Sequence, residues 1–266
     1  VAYAIHVLTS LDALRMLLLM GIYAAAAVFS GLSGFGFSAI GALSLCVVPP
    51  QFGVCMLMLL SLATQAMSVR ALRHDVLAHN ADWRKGFLPY VVGGILGLPF
   101  GLEILARAPY RGLVIALGAL LVAYAAYGIF KPTSLALSAR ETSLGGALAV
   151  GVIGGVVGGF SAFPGSALVV WNGLKNVPKD RGRALTQPFI LFMQAIALAL
   201  AGFARPTLFD AHLLSLFALS LPLAWAGNRV GLRIYQRTSH VNYRVITLAA
   251  LGVSGLSLLL KAALFS

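Results

Sequence analysis

The chain has 266 residues, with 19 Lys and Arg against 7 Asp and Glu, for a formal net charge of +12. Hydrophobic residues make up 60% of it and charged residues 10%. That is far below the roughly 25% charged of a soluble domain, and it excludes a soluble enzyme, a disordered protein and a nucleic-acid binder. The basic excess reads instead as the loops of a polytopic membrane protein.

In chain order, uncharged runs separate Arg15 from Arg70 (54 residues), Lys85 from Glu103 (17), Arg111 from Lys131 (19) and Glu141 from Lys175 (33). Three more separate Arg183 from Arg205 (21), Asp210 from Arg229 (18) and Arg244 from Lys261 (16). A helical span takes about 20 apolar residues, so the first run exceeds one crossing and about eight hydrophobic helices fit in all. Alternating segments of a membrane barrel are absent from the sequence. The expected class is an all-α polytopic membrane protein. Nothing ahead of Arg15 resembles a removable signal peptide, so none is expected in this stretch. Cys46 and Cys55 are nine positions apart in apolar runs, which is no metal or redox spacing and suits small buried hydrophobes.

Two of these runs contain helix-breaking stretches. Gly31-Leu32-Ser33-Gly34-Phe35-Gly36-Phe37-Ser38 places three glycines and two serines in eight positions, and each interior Gly costs about 1 kcal/mol against Ala. In Ser161-Ala162-Phe163-Pro164-Gly165-Ser166, Pro164 cannot continue a helix but suits the first turn of a new one. Such breaks are tolerated in a bilayer only where protein or a polar cavity covers the freed backbone. A helix starting there directs unpaired N–H groups and its positive dipole end into that cavity. Two facing ends would form a site for a small oxyanion, with hydroxyls from Ser33, Ser38, Ser161 and Ser166 nearby. Elsewhere, Gly93, Gly97, Gly154, Gly155, Gly227 and Gly231 read as close helix packing.

The second half echoes the first. Gly154-Gly155-Val156-Val157-Gly158-Gly159-Phe160-Ser161 resembles residues 31–38. Each half continues with a helix holding one inner Gln (Gln65, Gln194), a small-xxx-small step (Gly97 and Gly101; Gly227 and Gly231) and a Tyr-Arg pair (Tyr110-Arg111; Tyr243-Arg244). An internal duplication follows, with a first repeat at 1–130, a linker at 131–143 and a second repeat at 144–266. If each broken segment turns back, loops 70–86, 131–143, 171–183 and 229–244 share one side and hold fourteen basic residues against five. Eight simple crossings give ten against nine. The positive-inside rule selects the first arrangement, an inverted repeat with both termini outside the cytoplasm. Arg70, Lys175 and Arg183 border the spans and would gather anions at a cytoplasmic mouth. Lys175, Lys179, Arg181 and Arg183 read first as topology determinants, and Asn172 marks the membrane interface.

The duplicated glycine-rich break, the length and the hydrophobic runs resemble the TauE/SafE family of membrane transporters, the sulfite-exporter permeases. The resemblance spans nearly the whole chain and rests on Gly31, Gly34, Gly36, Gly155, Gly158, Gly159 and Pro164. It implies a secondary transporter or facilitator in the cell (inner) membrane for sulfite, an organosulfonate or a related small oxyanion or carboxylate. Phe35 and Phe37 depart from the family's glycine-richer first half, so the identity of the anion stays open. The expected substrate contacts are Ser33, Gly34, Phe35, Gly36, Ser38, Gln65, Ser161, Phe163, Pro164, Gly165, Ser166 and Gln194. No cofactor, metal or nucleic acid is expected. Membrane lipid and the anion are the partners, and a homodimer is open.

No acidic residue reads as deep in a span, where a charge costs roughly 2.5–3.5 kcal/mol or more. Glu103 lies near a helix end. This favours facilitated anion movement or coupling through the substrate's own proton, with sodium on backbone carbonyls as a further option. Gly31-Leu32-Ser33-Gly34 also matches the GxSG of intramembrane serine proteases, but that chemistry needs a His within reach of the serine, and His6, His74, His79, His212 and His240 fall outside the spans or at an edge. A non-transporting membrane assembly factor is the remaining alternative.

Overall fold

The charge-free runs fold as helices. A computed structural model describes residues 13–48, 50–107, 110–130, 142–161, 163–204 and 209–264, and the order is α1 (Ala13–Ser33), α2 (Phe37–Gly41), a 3-10 turn (Ala42–Cys46), α3 (Pro50–Ala71), α4 (Arg73–His79) and α5 (Leu88–Arg107). Then come α6 (Tyr110–Phe130), α7 (Leu144–Ser161), α8 (Gly165–Leu174), α9 (Lys179–Ala204), α10 (Ala211–Arg237) and α11 (His240–Leu264). Among the described residues, four stretches are long and apolar enough to cross a membrane: Leu14–Ser33, Phe52–Ala71, Lys179–Phe203 and Ala211–Arg237. Three shorter apolar ones are Leu88–Ile104, Leu144–Gly159 and Val245–Leu260. The short α2 and α8 arise because both glycine-rich segments break.

Each break produces a hairpin. Gly34, at φ +85°, turns the chain after α1 in a conformation that suits only glycine. Phe37 then stacks on Tyr23 with ring centroids 6.5 Å apart, so α2 runs back along α1. In the second half, Pro164 packs on Gly158. From there α8 runs back along α7 until the Trp171 Nε1–H donates to Thr142 Oγ1 at 3.0 Å.

Glycines set the long pairings. A Cβ at Gly97 would overlap the Val152 carbonyl, and one at Gly155 the Gly94 carbonyl, so α5 and α7 lie backbone to backbone and parallel. Gly227 against Ala24 and Gly231 against Val28 bring α1 and α10 together in the same way. Gly118 against Leu259 and Gly252 against Ala125 pair α6 with α11, antiparallel. The fourth long pair, α3 with α9, is joined by polar side chains: Gln194 Nε2 donates to Ser61 Oγ at 2.9 Å.

Hydrogen bonds gather three of the basic loops, 70–86, 171–183 and 229–244, at one end. Asn80 Nδ2 donates to the Ala184 carbonyl at 3.1 Å, a group left free because Pro188, four residues on inside α9, has no N–H to offer. Lys179 Nζ donates to the Thr238 carbonyl at 2.8 Å, and Tyr235 Oη–H donates to Asp180 Oδ1 at 2.5 Å. Leu32, Leu72, Leu232 and Tyr235 form a small apolar cluster there.

Candidate functional site

The polar interior collects where α1 stops. A helix ending inside protein leaves its last carbonyls without intrahelical partners, and here three other helices supply donors. Arg183 of α9 gives Nη2–H to Gly31 O at 2.6 Å and Nη1–H to Leu32 O at 3.1 Å. The Tyr243 hydroxyl of α11 donates to Ser33 O at 2.9 Å, and Gln65 Nε2 of α3 donates to Gly34 O at 3.0 Å. Arg183 is 2% exposed, and its guanidinium lies 4.0 Å from the centroid of the Tyr235 ring. Tyr235 in turn meets Tyr243 edge-on at 5.5 Å.

This places Arg183 away from the exposed mouth at which its sequence position put it. The reason is that α9 begins at Lys179, so Arg183 is one turn inside the helix and faces the end of α1. Arg70 is exposed, and Lys175 stacks over the Trp171 ring at 5.3 Å; these two stay at the basic end. Asn172, expected at an interface, is buried and donates to Gly182 O at 3.3 Å and Thr186 Oγ1 at 3.2 Å.

The expected serines turn inward on their own backbone. Ser33 Oγ–H donates to Phe29 O at 2.7 Å, while its oxygen accepts from Gly36 N–H at 3.0 Å and Phe35 N–H at 3.4 Å. Ser166 Oγ–H donates to Phe163 O at 3.1 Å. Ser38 is buried; the Ser161 side chain lies outside the described residues. Such local bonds are the usual rival of long-range contacts for Ser.

The two breaks do meet, through apolar groups. Phe35 and Phe163 have ring centroids 6.0 Å apart, and a Cβ at Gly165 would sit 3.6 Å from the Phe35 Cβ and 2.5 Å from Ile190 Cδ1. The first turn of α8, with Pro164 ahead of it, therefore faces a wall of Phe35 and Ile190. At the first break the polar element is the carbonyl end of α1, the opposite pole from the one expected.

A seam of buried polar groups runs from there between α3 and α9. On α9, Arg183, Gln187 and Gln194 recur at helical spacing on one face; on α3, Ser61, Gln65 and Ser68 do the same. Ser68 Oγ–H donates to Asn228 Oδ1 at 3.2 Å, and Asn228 Nδ2 donates to Thr64 O at 3.4 Å. Several atoms in the seam have no hydrogen-bond partner among the described residues: Arg183 Nε, both amide atoms of Gln187, and Oε1 of Gln65 and Gln194. Sequence reasoning missed Gln187, Asn228 and Tyr243. The available signal for Gln187 was its place four residues after Arg183 and seven before Gln194. Among the described residues, no cluster of His, Cys, Asp and Glu could hold a metal.

Outside, the molecule is apolar: Leu96, Phe100, Leu219 and Phe203 are exposed, Phe203 at 88%. Inside, Gln65 and Gln187 are fully buried. An apolar exterior around a polar interior defines an integral, multi-pass helical membrane protein. The sequence profile described as Sulfite exporter TauE/SafE matches residues 18–258, and the chain belongs to this family, which is one of transporters. No curated protein and no solved structure matches the chain.

Proposed function

We propose that the chain is a secondary transporter or facilitator moving a small sulfur-containing oxyanion, sulfite or an organosulfonate, across the cytoplasmic membrane. The observation that carries this reading is the polar seam at Gly34, buried inside an apolar shell where the two breaks meet. The matched family supplies the substrate class. Phe35 against Phe163 narrows the site, which favours a small anion and leaves another small organic anion as the second reading. The exposed Glu103 fits facilitated movement, or coupling through the substrate's own proton. Proteoliposomes holding the purified chain should take up radiolabelled sulfite along its gradient; uptake no faster than in empty liposomes would refute the reading.

The inverted repeat is part of this proposal. Its support is reciprocal pairing: the first helix of each half packs on the third long helix of the other (α1 with α10, α7 with α5), while α3 pairs with α9 and α6 with α11. Convergence of the basic loops 70–86, 171–183 and 229–244 at one end agrees with the fourteen-to-five charge split. In a cysteine-free background, cysteines at the exposed positions Ala81 and Asn176 should label only from the cytoplasm, and one at His212 only from outside. Labelling of Ala81 and Asn176 from opposite faces would overturn the arrangement.

A further inference from the structure

We infer that the anion is held by the Nε–H of Arg183 and the carboxamide of Gln187 beside Gly34, and that the site takes a singly charged oxyanion. This rests on the transporter reading above and assigns that reading its ligands.

Arg183 has a structural duty, since two of its nitrogens cap the end of α1. Capping leaves the Nε–H unused. A guanidinium presents its donors in a fixed planar fork, so with both Nη groups anchored, the direction of the Nε–H is fixed too. A Cβ on Gly34 would lie 3.5 Å from Arg183 Nε and 3.5 Å from Gln187 Cγ. The missing side chain of Gly34 therefore lets these two residues pack against its backbone, with the unpartnered groups of both beside it. Gln187 is 0% exposed, and neither its Nε2 nor its Oε1 has a partner among the described residues. A buried carboxamide with no bonds is costly, and replacing it by an apolar group of similar shape would be neutral or favourable for folding alone. Its retention next to an unused guanidinium donor is what a ligand contact requires.

Charge sets the ligand class. Beside Gly34 stand one cation, Arg183, and two neutral amides, Gln187 and Gln65; Asp180, which accepts from the Tyr235 hydroxyl, carries a negative charge that also acts on Arg183 and adds to the penalty for a doubly charged ligand. One guanidinium balances one negative charge, and a second would be buried without a counter-charge. The site should accept a sulfonate or hydrogensulfite and reject sulfate.

The test uses the purified full chain in detergent, with methanesulfonate and sulfate as calorimetric probes. These share sulfonyl oxygens and differ in charge. Methanesulfonate should bind at least about tenfold more tightly than sulfate, and sulfite should bind more tightly at mildly acidic than at mildly alkaline pH. Because Arg183 variants can fail to fold, the deciding variants are Gln187→Leu and Gln187→Glu. Each should weaken methanesulfonate binding by about tenfold or more, the worth of one hydrogen bond to a charge. Gln187→Leu should at the same time melt no lower than the parent, which a structural role for the amide would not allow. Methanesulfonate affinity unchanged in both variants, equal affinity for sulfate, or no binding to the parent chain overturns the inference. If methanesulfonate binds through Gln187 but no sulfur oxyanion crosses liposomes, the site stands and the transport reading falls.

Discussion

A chain carrying Gly155→Leu is expected not to assemble, giving aggregate in place of a single peak in size-exclusion chromatography. Overpacking a core commonly costs about 1–3 kcal/mol when side chains can move aside. Here a Cβ at Gly155 would overlap the backbone of Gly94, and the next turn repeats the contact, since a Cβ at Gly159 would fall 2.8 Å from the Gly101 Cα. No rotamer change relieves a clash with backbone, so α5 and α7 would have to part along their length. Such helices associate in lipid through close packing, and the loss would exceed that range. Gly112→Ala is the matching control, because a Cβ there meets nothing within 4 Å, and it should leave the elution profile unchanged.

Arg183→Leu should lower thermal stability in detergent by the next largest amount. It removes the donors to Gly31 O and Leu32 O, and at about 1–3 kcal/mol for each orphaned carbonyl the loss is roughly 2–6 kcal/mol. Arg70→Leu, at an exposed position in the last turn of α3, should fall within about 0.5 kcal/mol of the parent. Equal melting of the two variants would show that the end of α1 does not depend on Arg183.

The contrast between these two arginines marks the limit of what the sequence made legible. Spans could be read because burial in lipid requires long charge-free runs, and both breaks because Gly34 and Pro164 act locally on the backbone. Packing glycines were legible for the same reason: a small-xxx-small step faces one way on any helix. Arg183 was not. At the edge of a run, a loop charge and a buried charge have the same sequence signature, and only the end of α1, some 150 residues earlier, separates them. The direction of the serine hydroxyls was illegible for a different reason. Ser33 and Ser166 stand beside breaks, where a hydroxyl can aim at a ligand or satisfy its own turn, and the short local bond won. The polarity of the first break was missed because every broken helix has two ends. The amide end of the new helix and the carbonyl end of the old one share one sequence pattern, and only packing decides which meets the polar interior.

The crossed pairing of α1 with α10 and of α7 with α5 has a consequence for biosynthesis. Ribosomes deliver the chain from the amino terminus, and most multidomain chains complete their early units first. Here the first half emerges with the packing faces of α1 and α5 bare, because both partners belong to the half still being made. Of the carbonyls that end α1, those of Gly31 and Leu32 wait for Arg183, and that of Ser33 waits longest, for Tyr243 beyond α10. Insertion into the bilayer must therefore run ahead of compaction, with early helices held against lipid or an insertion factor until the last ones leave the ribosome. A message truncated before α10 would yield inserted helices and no finished protein, a natural substrate for membrane proteases.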